Sequence, residues 1–478
     1  MPPICWLDIT EAGVDARSRP FRRFTNLQKA SSRSACVAVQ RGQNGHEYLL
    51  TILVRTAELP MRVKISQDEL SSTLLRARGI LDRLRRDPII LDGGYGIDGS
   101  YVGAYNLPPG SYKSDGSWID AAKVNSRIDG FLRDMALAGA SFRGALFSDD
   151  AGMMVLEAIR ANAPAGSIMQ IWLDRDVLEF AYPWTWLYDK PFDPAYRQSV
   201  DTSMFWGHRW VIEQVGDWLE SSIRPTRLIT INAKSGLRVR VGLYNFPETE
   251  QHKKVFERRR TRLPVPMDLE FWEKDTLWEA YLPACDADIV YFFTHGHTAL
   301  PLTTSDAVTG GIIEALKVLL ITPSSDNDDE TEHVRSVRNN LANMLERLAS
   351  DGLMHEHHIK LAVGNLQLEN LRLLKFAPGK ASLVFLNMCE SAQVFPSLTA
   401  GLVQAFLCKG ALGVIGTEIP MIPQFAALFA ELFIDALLSG EEVGPILLRL
   451  RRQFLDAKNP LGFAYTHFGG ALLKLQTD

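Results

Sequence analysis

Apolar positions in the first ninety residues follow two rhythms. Runs at 35–40, 48–55 and 61–65 are rich in valine, isoleucine and leucine with little helical spacing, which predicts three strands. Ser66 then precedes Glu69 by three residues, the spacing of a capping box. Leu70, Leu74, Leu75, Leu81 and Leu84 follow on one helical stripe, so a helix is predicted to about residue 86. Residues 1–91 are therefore expected to form a small α+β unit.

The rhythm stops over 92–119, a segment rich in Gly, Pro, Ser and Tyr that reads as a linker. It holds Gly94-Tyr95-Gly96-Ile97-Asp98-Gly99, formally a dinucleotide fingerprint. That fingerprint works only where a helix starts at the glycines and points its N–H groups at a pyrophosphate. Here the chain runs on into a proline-containing stretch, so no nucleotide site is read from it.

From residue 120 onward the periodicity alternates. Helical stripes are predicted at 131–138, 153–161, 249–259, 398–408, 424–438 and 444–455. Strands are predicted at 168–173, 177–180, 238–244, 289–293, 383–386 and 412–415. The runs at 289–293, 383–386 and 412–415 are apolar without alternation, as strands buried on both faces must be. The expected fold class is α/β, a three-layer sandwich of helices around a mostly parallel sheet, occupying 120–478. One stretch, 299–358, is too long for an ordinary connection and reads as an insertion. It carries an acidic run at 326–332, then Val334, Val337, Leu341, Leu345 and Leu348 at helical spacing.

Composition narrows the function classes. The 478 residues are 46% hydrophobic and carry a net charge of −5, which excludes a broad basic footprint for nucleic acid. Arg258, Arg259, Arg260 and Arg262, with Lys253 and Lys254, make the one dense basic run, read as a solvated helix face. The five cysteines show no paired spacing, so no disulfide framework is expected. A reducing, cytoplasmic setting fits them. Residues 1–24 contain no apolar stretch of signal-peptide length. Residues 391–408 carry no formal charge, yet Pro396 and two glutamines interrupt them, so no membrane span is expected.

Candidate chemistry follows from position. In open α/β sheets, ligands sit beyond the carboxyl ends of the strands. The run 289–293 leads into Thr294-His295-Gly296-His297, and 383–386 leads into Asn387-Met388-Cys389-Glu390-Ser391. If these strands are neighbours, an imidazole and a thiol emerge side by side. A thiolate is a nucleophile that a nearby imidazolium favours, and the imidazolium can protonate a leaving amine. Gly296 permits close approach of a backbone N–H, so the N–H groups of Gly296 and Cys389 can hold an oxyanion. His355, His357 and His358 cluster with Glu356 but lack a second ligand pair at metal-site spacing, so no metal is assigned.

The segment Tyr291-Phe292-Phe293-Thr294-His295-Gly296 resembles the histidine motif of caspase-like peptidases. The segment from Leu383 through Asn387-Met388-Cys389-Glu390-Ser391-Ala392 resembles the cysteine motif of the CHAT branch of that clan. Gly413-Val414-Ile415-Gly416-Thr417-Glu418 and Asn459-Pro460-Leu461-Gly462-Phe463-Ala464-Tyr465 resemble later segments of the same domain. Pro183-Trp184-Thr185-Trp186-Leu187-Tyr188-Asp189 resembles its Pro-Trp-Glu motif, with Thr185 in place of the glutamate. The resemblance spans about residues 125–475 and selects His295, directly before glycine, over His297 as the base. It implies a cysteine endopeptidase with a Cys389–His295 dyad, needing no metal and no cofactor. It also implies protein substrates, in some relatives gasdermin-like pore-formers, a setting in bacterial defence or stress, and a separate activator protein. Glu418, and alternatively Glu390, is a candidate pocket carboxylate that would favour Arg or Lys before the scissile bond. The rival readings are a non-catalytic interaction module on the same fold and a thiol transferase or amidohydrolase.

Overall fold

The computed structural model describes residues 33–41, 48–54, 57–63, 67–87, 121–147, 150–173, 183–191, 200–216, 230–246, 249–297, 358–360, 363, 365–367, 373–376, 382–387, 402–419, 421–456 and 459–476. In chain order it begins with β1 (Arg33–Arg41), β2 (Tyr48–Val54), β3 (Ala57–Val63) and α1 (Gln67–Arg86). Next come α2 (Ala121–Leu146), α3 (Asp150–Asn162), β4 (Ile168–Leu173), α4 (Trp206–Arg209), β5 (Val211–Gly216) and β6 (Thr230–Asn232). β7 (Leu237–Leu243), α5 (Thr249–Arg260), β8 (Met267–Trp272), α6 (Asp275–Tyr281) and β9 (Ile289–Phe293) follow. Three short strands, β10 (His295–His297), β11 (His358–Lys360) and β12 (Asn365–Gln367), precede β13 (Leu383–Leu386). The chain closes with α7 (Leu402–Cys408), β14 (Gly413–Thr417), α8 (Pro423–Leu438), α9 (Val443–Asp456), β15 (Tyr465–Gly469) and β16 (Lys474–Gln476).

Eleven strands form one sheet in the order β3-β2-β1-β4-β5-β15-β14-β13-β9-β7-β8. Pairing is parallel from β1 through β5 to β15 and from β14 to β8. Antiparallel contacts occur between β15 and β14 and in the meander of β1, β2 and β3. Every residue of β4, β5, β9, β13, β14 and β15 is buried. Successive strand side chains point to opposite faces, so uniform burial means that both faces of the sheet are covered. The α/β class read from the unalternating apolar runs is the class observed.

The N-terminal strands do not stand apart from the rest. β1 pairs with β4 over Arg33↔Ile168 to Val39↔Leu173, which makes the unit expected at 1–91 the outer part of the common sheet. α1 packs against α2. A buried ionic group strengthens the junction. Arg33 Nε and Nη2 donate to the Glu213 carboxylate at 2.5 and 2.7 Å, and Gln170 Nε2 and the Ala471 backbone N–H donate to it as well. One carboxylate thus joins β1, β4, β5 and the turn after β15.

The insertion read at 299–358 leaves and rejoins the fold at one place. β10 pairs antiparallel with β11, with His297 opposite His358, so the two ends of the excursion are neighbours. Residues 298–357, which hold the acidic run and the expected helix, lie outside the described residues, as do the linker and the strand expected at 177–180.

Candidate active site at the carboxyl edge of β9 and β13

β9 and β13 are adjacent and parallel, in register from Leu383↔Ile289 to Leu386↔Phe292. Neighbouring strands lie about 5 Å apart, so chain leaving their carboxyl ends starts from one short stretch of edge. His295 is three positions beyond Phe292, and Cys389 is three positions beyond its register partner Leu386. His295 opens β10, opposite Lys360, and Gly296 lies opposite Ile359. Cys389 and Glu390 lie outside the described residues, and the side chains of 295–297 are likewise not described.

The ends of β9 and β13 are held by a buried polar network that sequence reading did not single out. The Asn387 backbone N–H donates to the Phe292 carbonyl at 2.9 Å, extending the ladder past β13. Its side-chain Nδ2 donates to the Tyr291 hydroxyl at 2.8 Å and to the Ala426 carbonyl in α8 at 2.9 Å. Its Oδ1 accepts the Tyr465 hydroxyl of β15 at 2.8 Å. Tyr291 Oη lies 2.7 Å from His252 Nδ1 on α5. All four side chains are almost wholly buried. Burial pushes the Tyr291 and Tyr465 hydroxyls far above the ordinary phenol range and lowers the His252 imidazole to about 3. The imidazole is therefore neutral at physiological pH. An aromatic shell surrounds the network: His252 stacks on Phe293 at 3.6 Å, and Tyr465 on Phe429 at 3.6 Å.

Glu418 is corrected by the structure. Its side chain is fully buried, and both oxygens are taken. Arg78 of α1 donates to Oε2 from Nε and Nη2 at 3.1 and 2.7 Å, and Thr466 Oγ1 donates to Oε1 at 2.8 Å. Burial holds its pKa above the ordinary carboxylate range, and the Arg78 charge and hydrogen bonds work against that rise. A carboxylate closed off in this way ties α1 to the end of β14 and presents nothing to a peptide side chain. Arg78 falls on the stripe of Leu74 and Leu81, a charge on an apolar face, which marks a buried cation without identifying its partner.

Other residues from the motifs are structural. Thr185 is buried in a short turn with Trp184 and Trp186, and Trp186 Nε1 donates to the Phe463 carbonyl at 2.8 Å. Arg258 and Arg259 of the basic run pair with Glu431 and Asp435 of α8, so two of its six cations join two helices. Among the described residues, no group of three or more His, Cys, Asp or Glu side chains is arranged to hold a metal ion. No helix among them is long and apolar enough to cross a membrane.

The arrangement defines an α/β protein whose candidate chemistry sits at the carboxyl edge of adjacent central strands. Residues 239–467 match the model of the CHAT domain family, from within β7 to within β15. A probable protease of Vitiosangium sp. (strain GDMCC 1.1324) is 36% identical over 101 residues, 20% of this chain and 13% of that protein. The chain thus spans about an eighth of the curated relative it matches. Two crystal structures of the Saccharomyces cerevisiae separase–securin complex align with TM-scores of 0.48, at 10% and 11% identity. They cover 95% and 96% of this chain and 31% of the yeast chain.

Proposed function

We propose that the chain is a cysteine endopeptidase that cleaves specific protein targets, with Cys389 as nucleophile and His295 as base. The observation that carries this reading is the adjacency of β9 and β13, whose registered ends lead into the His-Gly and Cys segments. The CHAT match and the protease name of the Vitiosangium relative support the peptidase class. In the proposed reaction the Cys389 thiolate attacks the scissile carbonyl carbon. The oxyanion then rests on the backbone N–H groups of Gly296 and Cys389. The imidazolium of His295 gives its proton to the departing amine, leaving a thioester on Cys389. A water molecule, deprotonated by the now neutral imidazole, hydrolyses that thioester and regenerates the thiol. With Glu418 occupied by Arg78, Glu390 remains the carboxylate proposed for a substrate pocket. A defence role, a gasdermin-like pore-former as target and activation by a separate protein belong to the same proposal.

The test is N-terminal peptide mapping of cells expressing this chain or its Cys389→Ala form. New N-termini that depend on the thiol and share the residue before the cut are expected. Identical maps, with and without coexpressed neighbouring proteins, would overturn the peptidase reading and leave a binding module on the same fold.

A further inference from the structure

We infer that Asn387 is a positioning residue for the dyad, holding β9 and β13 at the separation from which His295 and Cys389 are presented. The inference rests on the peptidase reading of those two residues and adds a device that neither motif reveals.

The argument begins with hydrogen-bond capacity. A primary amide offers two donors and a carbonyl acceptor on one rigid plane. Asn387 spends both donors, on Tyr291 of β9 and Ala426 of α8, and its carbonyl accepts from Tyr465 of β15. The direction of every bond is thereby set. Tyr465 gives its proton to Asn387, so Asn387 must give one to the Tyr291 oxygen. Tyr291, having accepted there, donates its own proton to His252 Nδ1 at 2.7 Å. His252 can accept at Nδ1 because burial keeps its imidazole neutral. No other side chain of similar size fills this place. A carboxylate lacks the donors, leucine lacks all three bonds, and glutamine is a methylene too long.

Position makes the clamp relevant to chemistry. Asn387 is 1% exposed and stands two residues before Cys389; Tyr291 stands four residues before His295. The Asn387 backbone N–H also holds the Phe292 carbonyl, so one residue fixes β9 through both its main chain and its side chain. The two strand ends, one helix and the antiparallel strand β15 meet in a single amide. Catalytic groups must be held within a fraction of an ångström, and a shift of about 1 Å costs on the order of 100-fold in rate. Loosening this amide therefore changes the relation of thiol and imidazole without touching either.

The test reads the thiol directly and needs no substrate. In the native chain, the pH dependence of iodoacetamide alkylation at Cys389, followed by mass spectrometry of its peptide, is expected to show a midpoint below the free-cysteine value. In Asn387→Ala the midpoint is expected to move up by about one pH unit or more, towards the value near 8.5 of an unassisted thiol. With a protein target from the mapping experiment, kcat is expected to fall about 100-fold and KM to change less than threefold. Tyr291→Phe removes one hydroxyl and keeps the packing; it carries the test where Asn387→Ala fails to fold, with a smaller shift in the same direction. Variants that fold and keep the native alkylation profile and kcat would overturn the positioning role. Cleavage that persists in Cys389→Ala would instead overturn the role of Cys389 as nucleophile, so the two failures are separable.

Discussion

At the scale of single residues, the interior of this protein contains imidazoles that burial keeps neutral at physiological pH. His467 on β15 is buried, and among the described residues neither ring nitrogen has a hydrogen-bond partner. Burial, with a smaller contribution from the nearby Arg451 charge, lowers it to about 3, and burial alone does the same for His252. In the unfolded chain both titrate near 6.5. Between these values the unfolded state binds more protons than the folded one, so stability is full above 6.5 and falls as pH drops towards 3. The slope is about 1.4 kcal/mol per pH unit for each histidine. Urea unfolding at pH 7, 6 and 5 should show this loss, and His467→Leu should remove about half of the part due to these two rings. A variant slope equal to the native one would refute the assignment. At this scale the sequence was only partly legible. His295, Gly296 and Cys389 announced themselves because a strand end followed by a reactive side chain is a local pattern. Asn387, Tyr465 and His252 did not, because their meaning lies in contacts between segments up to 96 residues apart. Glu418 was misread for the same reason: its partner, Arg78, is 340 residues away.

At the scale of elements, the Arg78–Glu418 pair makes α1 part of the architecture around β14. Both groups are desolvated, with side-chain exposures of 5% and 0%. Removing one partner leaves a buried charge without its counterion, which costs about 3–5 kcal/mol, whereas removing both often costs little. Arg78→Met is therefore expected to destabilise by about 3–5 kcal/mol in denaturant titrations, and Arg78→Met with Glu418→Leu to recover most of it. Equal losses in the single and double variants would show that the helix contributes through packing alone. Elements whose burial comes from apolar residues were readable from the chain, among them β4, β7, β9, β13 and most of the helices. β5 and β15 were not, for a definite physical reason. The middle of β5 is Glu213-Gln214, and β15 carries Thr466 and His467, so neither reads as an apolar run. Glu213 is tolerated there because Arg33, Gln170 and the Ala471 N–H surround its carboxylate.

For the molecule as a whole, the decisive contact is β5 on β15. The strands of the CHAT-matched part, β8-β7-β9-β13-β14-β15, form a sheet that would end at β15 if nothing followed. An uncovered strand of this kind offers a row of N–H and C=O groups to any other chain. Here the outer strands β5, β4, β1, β2 and β3 continue the sheet, with Phe468 opposite Gln214 at the junction. β5 also supplies Glu213 to the Ala471 N–H and α1 supplies Arg78 to Glu418, so the earlier half of the chain completes the polar interior of the later half. This dependence was invisible in a reading that treated 1–91 as a unit of its own, since strand pairing across more than 250 residues leaves no local trace. A fragment starting at residue 230 should therefore fail to behave as an independent monomer. It is expected to self-associate through β15 or to precipitate, while the full chain elutes at a size set by its own assembly. Size-exclusion chromatography with light scattering distinguishes the outcomes. A monomeric fragment with cooperative unfolding would mean that β15 can end a stable sheet, and that the N-terminal strands cover the edge without being needed to close it.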